Sequence, residues 1–178
     1  MSLPQNYEVS TKDSNYFKPQ DGDNKVRILS DLQVGFQYWT ADNKPVRLRT
    51  EPQTIPADMR LDSKVKEMWL AIVWDYTTEK VAIWEITQAT IMRSIYEYEK
   101  DEEYGDSKGY DLKISRSGKE LETKYDVRAG IPKEVDEKIA DAAEKGELTS
   151  KSLEEMFSTE EKVEKVEEAI SPDDIPFD

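Results

Sequence analysis

A mainly β protein with a few helices is the fold class this sequence predicts, and three observations carry it. Several short stretches alternate apolar and polar residues with a period of two, as strands do. One stretch, from Gln88 onward, switches to helical spacing. The last quarter of the chain turns rich in Glu and Lys and carries most of the negative charge.

Taken in order, residues 1–20 are polar, hold Pro4 and Pro19 and show no period. They read as an N-terminal arm, packed locally by Tyr16 and Phe17. Asp21, Gly22, Asp23 and Asn24 signal a turn, and residues 25–29 alternate as a first strand. In the second, Val34, Phe36 and Tyr38 alternate with Gln33, Gln37 and Trp39. A turn at Asp42, Asn43, Lys44 and Pro45 leads into a third strand over 46–49, with Val46 and Leu48 inward and Arg47 and Arg49 outward. Residues 51–63 hold Pro52 and Pro56 and form a loop.

Residues 66–76 contain an apolar run over 68–74 that lacks a polar face, the mark of a central strand. Thr77, Thr78 and Glu79 turn it into a partner over 80–86. Ile91, Met92, Ile95 and Tyr98 then share one helical face, and Gly105 ends the segment. Residues 109–116 alternate again, Ser117 and Gly118 turn the chain, and 119–127 supply the partner strand. Pro132 is expected to open a helix at its favoured first position, with Val135, Ile139 and Ala142 or Ala143 on one face. A second short helix is expected over 148–157. Residues 159–170 have too thin an apolar face to pack, and 171–178 are expected to be disordered.

Strands, one helix, a strand pair and then helical and acidic appendages fit an OB-fold-like five-stranded Greek-key barrel. A half-open sheet of another topology fits the same order. The expected division is an arm over 1–20, a barrel domain over 21–131, a helical extension over 132–158 and an acidic tail over 159–178.

Charge is unevenly distributed. The 178 residues carry a net charge of −14. Residues 1–132 hold 19 Lys+Arg and 23 Asp+Glu, whereas residues 133–178 hold 6 and 16. The first part is nearly balanced and has all four Trp. An acidic chain argues against nucleic acid in general, but a mobile acidic tail can fold over a basic groove as an internal competitor. The chain has no Cys and no His. That excludes disulfide scaffolds, thiolate zinc sites, Cys nucleophiles and Ser-His-Asp triads. No apolar run approaches the ~20 residues that cross a membrane, and the N-terminus lacks the pattern of a signal peptide. A cytosolic protein is the expectation.

Single-stranded nucleic acid is held by cations that follow the phosphates and by aromatic faces on which bases stack. Trp39 lies on the strand face opposite Val34 and Phe36, and Arg47 and Arg49 project from the next strand. Lys113, Arg116, Lys119, Lys124 and Arg128 gather around the late hairpin, with Tyr110 and Tyr125 nearby. The expected phosphate ligands are Arg47, Arg49, Lys113, Arg116, Lys119 and Lys124. The expected platforms are Trp39, then Tyr38, Trp74 and Tyr110. Against this, Trp69, Trp74 and Trp84 sit among aliphatic residues and read first as core.

The chain carries two resemblances. The chain closes on Asp173, Asp174, Ile175, Pro176, Phe177 and Asp178. This hexapeptide resembles the C-terminal tip of bacterial single-stranded DNA-binding proteins, where an acidic run leads into Ile-Pro-Phe; there Phe is the final residue, whereas Asp178 follows here. Residues 16–29 (Tyr-Phe-Lys-Pro-Gln-Asp-Gly-Asp-Asn-Lys-Val-Arg-Ile-Leu), 69–75, 80–87, 109–118 and 123–127 together resemble the single-stranded DNA-binding proteins of tailed phages. The resemblance implies an OB-fold that coats single strands in phage DNA replication, recombination and repair, with no catalysis and no cofactor. It also implies an acidic tail that recruits replication and recombination proteins, and a location in the bacterial host cytoplasm; self-association on DNA stays open. Some relatives carry a zinc ribbon, which a chain without Cys or His cannot build.

Two rival readings remain. Asp111-Leu112-Lys113 and Glu122-Thr123-Lys124 match half of a Mg²⁺-dependent nuclease signature, in which carboxylates hold the metal and Lys positions water. An acidic interaction protein that mimics DNA fits the net charge, but its carboxylates would need a folded surface rather than a tail.

Overall fold

The computed structural model describes residues 15–158, and the expectations for the arm over 1–14 and the tail over 159–178 fall outside them. Among the described residues one mixed sheet holds eight strands: β1 (Tyr16–Phe17), β2 (Gly22–Ile28), β3 (Gln33–Trp39), β4 (Pro45–Leu48), β5 (Lys66–Asp75), β6 (Lys80–Ile86), β7 (Asp111–Ser117) and β8 (Lys124–Ala129). Three α-helices accompany it: α1 (Ala89–Lys100), α2 (Glu137–Lys145) and α3 (Ser150–Glu155). The mainly β class is thus observed. No described helix is long and apolar enough to cross a membrane, which leaves membrane-crossing strands unaddressed.

β5 organises the sheet. One edge pairs with β6, from Trp69↔Ile86 to Asp75↔Lys80. The other edge is shared: Lys66 to Leu70 pair with β3, and Val73 to Asp75 pair with β2. β2 and β3 therefore lie end to end along one long neighbour. β7 returns to the free edge of β2 and brings β8 with it. The spatial order β7–β2–β5–β6 is a Greek key, with the β3–β4 hairpin inserted between its first and second strands. The hydrogen-bonded path is open, running from β1 to β8.

The apolar run predicted for a central strand has its cause here, since both faces of β5 are covered. Ala71 and Val73 join Val26, Ile28, Trp84, Leu112 and Ile114 in the larger core. Met68, Leu70 and Ile72 face the other way and meet Ile83, Leu153 and Phe157. Full burial of each such side chain contributes ~1.5–3 kcal/mol. α1 closes the larger core with Ile91, Met92 and Ile95, the helical face expected from the spacing. Tyr98, Tyr104 and Tyr110 pack edge-on beside it.

Two expectations need correction, and a third gains its packing partners. Tyr16 and Phe17 do not belong to a loose arm: they pair in parallel with Ile83 and Trp84 of β6, and Phe17 packs edge-on against Trp84 with ring centroids 5.4 Å apart. The strands are accordingly not all antiparallel. The helix expected at Pro132 begins only at Glu137. The Lys133 N–H donates to the Gly109 carbonyl, and the Lys133 carbonyl accepts from Arg27 Nη2 at 2.7 Å, so this stretch is held extended across the sheet. The short helix over 148–157 is part of the fold. Leu153 and Phe157 are buried, and Gly35 of β3 leaves the room Phe157 fills; a Cβ there would also stand 2.7 Å from the Leu48 carbonyl.

Arg27 anchors that extended stretch. Its side chain is 2% exposed, donates to the Lys108 and Lys133 carbonyls, and stands 3.6 Å from Asp111. Asp111 accepts the Tyr76 hydroxyl at 2.7 Å and has Lys25 and Lys133 each at 3.6 Å. Burial, with the Asp111 carboxylate beside it, raises the Tyr76 phenol well above its ordinary 10.0. A buried charge is tolerated when it is paired and hydrogen-bonded; Nε and Nη2 of Arg27 are hydrogen-bonded, and its Nη1 has the Asp111 charge at 3.6 Å but no hydrogen bond among the described residues.

Candidate nucleic-acid interface

Beside the β3–β4 hairpin an open groove crosses the surface. Trp39 ends β3 and is 38% exposed. The backbone holds it firmly: its N–H donates to Ser63 Oγ at 3.0 Å and its carbonyl accepts from the Arg60 N–H at 2.8 Å. The loop expected over 51–63 thus runs back along β3 and fixes the Trp39 backbone. Trp39 and Glu85 line two adjoining hollows. One, of about 510 Å³, takes in Tyr16, Lys18, Pro45, Arg47, Arg116 and Tyr125. The other, of about 600 Å³, takes in Gln37, Arg60, Ser63, Lys64, Lys66 and Thr87.

Charge in the groove runs opposite to charge in the chain. Six cations line the two hollows, Lys18, Arg47 and Arg116 on one side and Arg60, Lys64 and Lys66 on the other, against the carboxylates of Glu85 and Asp62. Arg47 donates to Glu85 from Nε and from Nη2, the latter at 2.6 Å, in a partly buried pair. Arg60 is held by Asp62 and Asn43. Arg116 donates to the Pro19 carbonyl at 3.1 Å, while its buried Nε finds no hydrogen-bond partner among the described residues. Gln37 is 6% exposed and its Oε1 is likewise unpartnered. The Arg116 Nε has instead the Asp21 carboxylate at 3.7 Å, and the groove wall is polar at both positions.

The expected site residues divide sharply. Trp39, Arg47 and Arg116 come together in the groove. Arg49 is exposed nearby, its guanidinium 3.6 Å from the centroid of the Phe157 ring. Lys119 and Lys124 are exposed at the tip of the β7–β8 hairpin. Lys113 stands on the opposite face of β7 from Arg116, as alternation along a strand requires. The other three expected platforms present no free ring. Tyr38 is buried and donates to Asp58 Oδ1 at 2.8 Å, and burial, then that bond, pushes its phenol above the usual range. Trp74 is 4% exposed, opposite Arg27 on the neighbouring strand. Tyr110 is fully buried among Tyr98 and Tyr104, and burial raises its phenol too.

Sequence reasoning passed over Lys18, Gln37, Arg60, Lys64, Lys66 and Glu85. Glu85 alone left a signal, as the one acidic residue in the apolar run of β6. The others come from an arm, a strand interior, a loop and a strand start that only the fold brings together. Asp111 and Glu122, the carboxylates of the nuclease reading, also part company: Asp111 is buried beside Arg27, and Glu122 is exposed at the hairpin tip. No family model, no curated protein and no solved structure matches this chain.

Proposed function

We propose that this protein binds single-stranded DNA along the groove that Trp39 divides, and that it acts by coating and protecting the strand rather than by catalysis. The observation that carries the reading is the sorting of charge. A chain with net charge −14 gathers six cations against two carboxylates around one exposed Trp. Cations tracking phosphates beside an aromatic face are what single-strand recognition needs, and the stacking is tolerant of sequence because every base has a π-face. In this reading Arg47, Arg116, Lys18, Lys64 and Lys66 meet phosphates, Trp39 takes a base, and Tyr16 and Tyr125 flank it.

The finer fold assignment belongs to the same proposal. The antiparallel run β6–β5–β2–β7–β8, with α1 between β6 and β7 in the chain, supports reading the sheet as an OB-fold-like barrel. OB-folds bind oligonucleotides across strands two and three, between the loops that follow strands one and four. With β2 and β3 together as strand one, those loops are the β3–β4 region and the β7–β8 turn, which flank the groove. The acidic tail then recruits replication and recombination proteins through Asp173, Asp174, Ile175, Pro176, Phe177 and Asp178, in the cytoplasm of a bacterial host.

The test is Trp fluorescence during titration with oligo-dT at low and high salt, with duplex DNA as control. Saturable quenching by the single strand that weakens with salt, is much smaller with duplex, and is lost in Trp39→Ala is the expected result. Absence of binding at low salt, by the full chain and by a chain ending at residue 158, overturns the proposal.

A further inference from the structure

The back of the β7–β8 hairpin carries a second cationic feature. Lys25 of β2 is in register with Lys113 of β7, and Lys113 is in register with Arg128 of β8. Three cations thus stand side by side across three neighbouring strands, ~5 Å apart. Residues directly opposite in antiparallel strands share a face, and like charges placed so repel. Lys133 joins them around a depression of about 500 Å³.

The acids nearby do not saturate this row. Lys25 and Lys133 each stand 3.6 Å from Asp111, beyond hydrogen-bond reach, and Asp111 is already engaged by the Tyr76 hydroxyl and paired with the buried Arg27. Lys113 is 3.9 Å from the exposed Asp23. Arg128 pairs at 3.1 Å with Asp126 on its own strand, both exposed. The ammonium groups of Lys25, Lys113 and Lys133 therefore make no hydrogen bond among the described residues, although that of Lys25 also lies 4.3 Å from the centroid of the Tyr76 ring. An exposed pair such as Arg128 with Asp126 contributes little and is readily exchanged for a better anion.

α3 covers Met68, Leu70 and Ile72 of β5, and the extended stretch before α2 crosses Arg27. The sector of β2, β7 and β8 stays open, and there the cations stand. The hairpin joins this sector to the groove: Arg116 and Tyr125 face the groove, whereas Lys113 and Arg128, three residues along the same strands, face the back. Three residues of strand span ~10 Å.

We infer that the row Lys25–Lys113–Arg128, with Lys133, is a second phosphate-binding surface, engaged by a nucleic-acid strand long enough to pass from the groove over the β7–β8 hairpin to its back. The inference rests on the groove reading for the continuity of the path, but not for the row's affinity for phosphates. It calls for a length threshold: a short oligonucleotide fills the groove alone, and a longer one also reaches the row.

The test compares the full chain with the triple variant K25Q/K113Q/R128Q, using dT oligonucleotides of increasing length. K25Q takes one cation from beside Asp111, where Arg27 and Lys133 remain, so a small fall in the thermal unfolding midpoint is expected and binding is compared well below it, where both proteins are folded. Short oligonucleotides should bind both proteins alike. For long ones, the variant should bind at least tenfold more weakly at moderate salt. Its slope of log Kobs against log salt should be shallower by about 2, since each phosphate of a single strand that is no longer neutralised takes away about 0.7. Equal affinity and equal slope at every length overturn the inference while leaving the groove intact. Should Trp39→Ala leave short-strand binding unchanged, the groove reading fails, and a remaining difference between the full chain and the triple variant on long strands still upholds the row.

Discussion

Arg27 and Arg47 each face a carboxylate, and the contrast between them separates a residue that holds the fold from one poised to hold a ligand. Arg27 is 2% exposed, donates to two carbonyls from distant parts of the chain and sits against Asp111. Its partners are backbone groups and a buried acid, and no foreign anion can displace them without unfolding the extended stretch before α2. Among the described residues the Arg47 guanidinium has the one partner Glu85, at the wall of an open groove beside Trp39. A phosphate can compete for it. The lesson is that a guanidinium is classified by how many fixed partners it has and how accessible they are, not by being an Arg on a strand.

The largest expected effect breaks the first member of the comparison. Arg27→Ala removes the guanidinium beside Asp111 and orphans the Lys108 and Lys133 carbonyls. Loss of one partner of a buried pair costs ~3–5 kcal/mol, and the lower end applies because Lys25 and Lys133 stay near Asp111. Urea denaturation should show this as a fall in the midpoint. Unchanged stability would mean that the extended stretch is held by something other than Arg27.

Next in size is the platform. Trp39→Ala should weaken oligo-dT binding by ~1–3 kcal/mol, the range for one base–aromatic stack, which is roughly 5- to 150-fold in Kd. Its stability should change little, since the ring is not in either core. Affinity equal to the unaltered chain would remove the groove from the proposal.

A smaller effect of opposite sign is expected at Glu85. Glu85→Gln takes a negative charge from the groove wall and leaves Arg47 an acceptor it holds less tightly. Oligo-dT affinity should rise severalfold, most clearly at low salt where charge effects are unscreened. Tighter binding with unchanged stability would confirm that the Arg47–Glu85 pair restrains binding. Weaker binding would show that Glu85 positions Arg47 for the ligand.

The smallest effect concerns alkaline pH. The Tyr76 phenol, hydrogen-bonded to Asp111, has its pKa raised in the folded protein above its ordinary 10.0. The folded state therefore holds that proton more tightly than the unfolded chain. The stabilisation is fully present below about pH 10 and is lost as the pH rises through the folded value. Tyr76→Phe should flatten the fall in stability above pH 10 relative to the unaltered chain. The remaining slope is expected from Tyr38 and Tyr110, whose phenols are raised as well.

Much of this architecture was legible in the residues themselves. The two-sided apolar run of β5 announced a strand covered on both faces, and the spacing of Ile91, Ile95 and Tyr98 announced α1. Period and turn chemistry are local properties, so a sequence displays them. The same local logic put Arg47 outward and Trp39 opposite Phe36. It went wrong where a partner distant in the chain intervened. Pro132 favours a helix start, yet the Arg27 and Gly109 contacts hold the next residues extended. At Tyr110 alternation itself was right: it shares the face of Leu112 and Ile114, and Tyr98 and Tyr104 enclose it.

Residue order alone, then, set the strands, the helices, the segregation of charge toward the C-terminus and the absence of thiol and imidazole chemistry. Tertiary packing set which aromatics have a free face and which cations share a surface. The groove gathers Lys18, Trp39, Lys64 and Arg116 from four separate stretches, and the row on the back gathers Lys25, Lys113 and Arg128 from three strands. The physical reason is that periodicity fixes a side chain's direction within its own element. Its burial and its neighbours depend on which element lies alongside, and that depends on long-range strand pairing and on packing of the whole core.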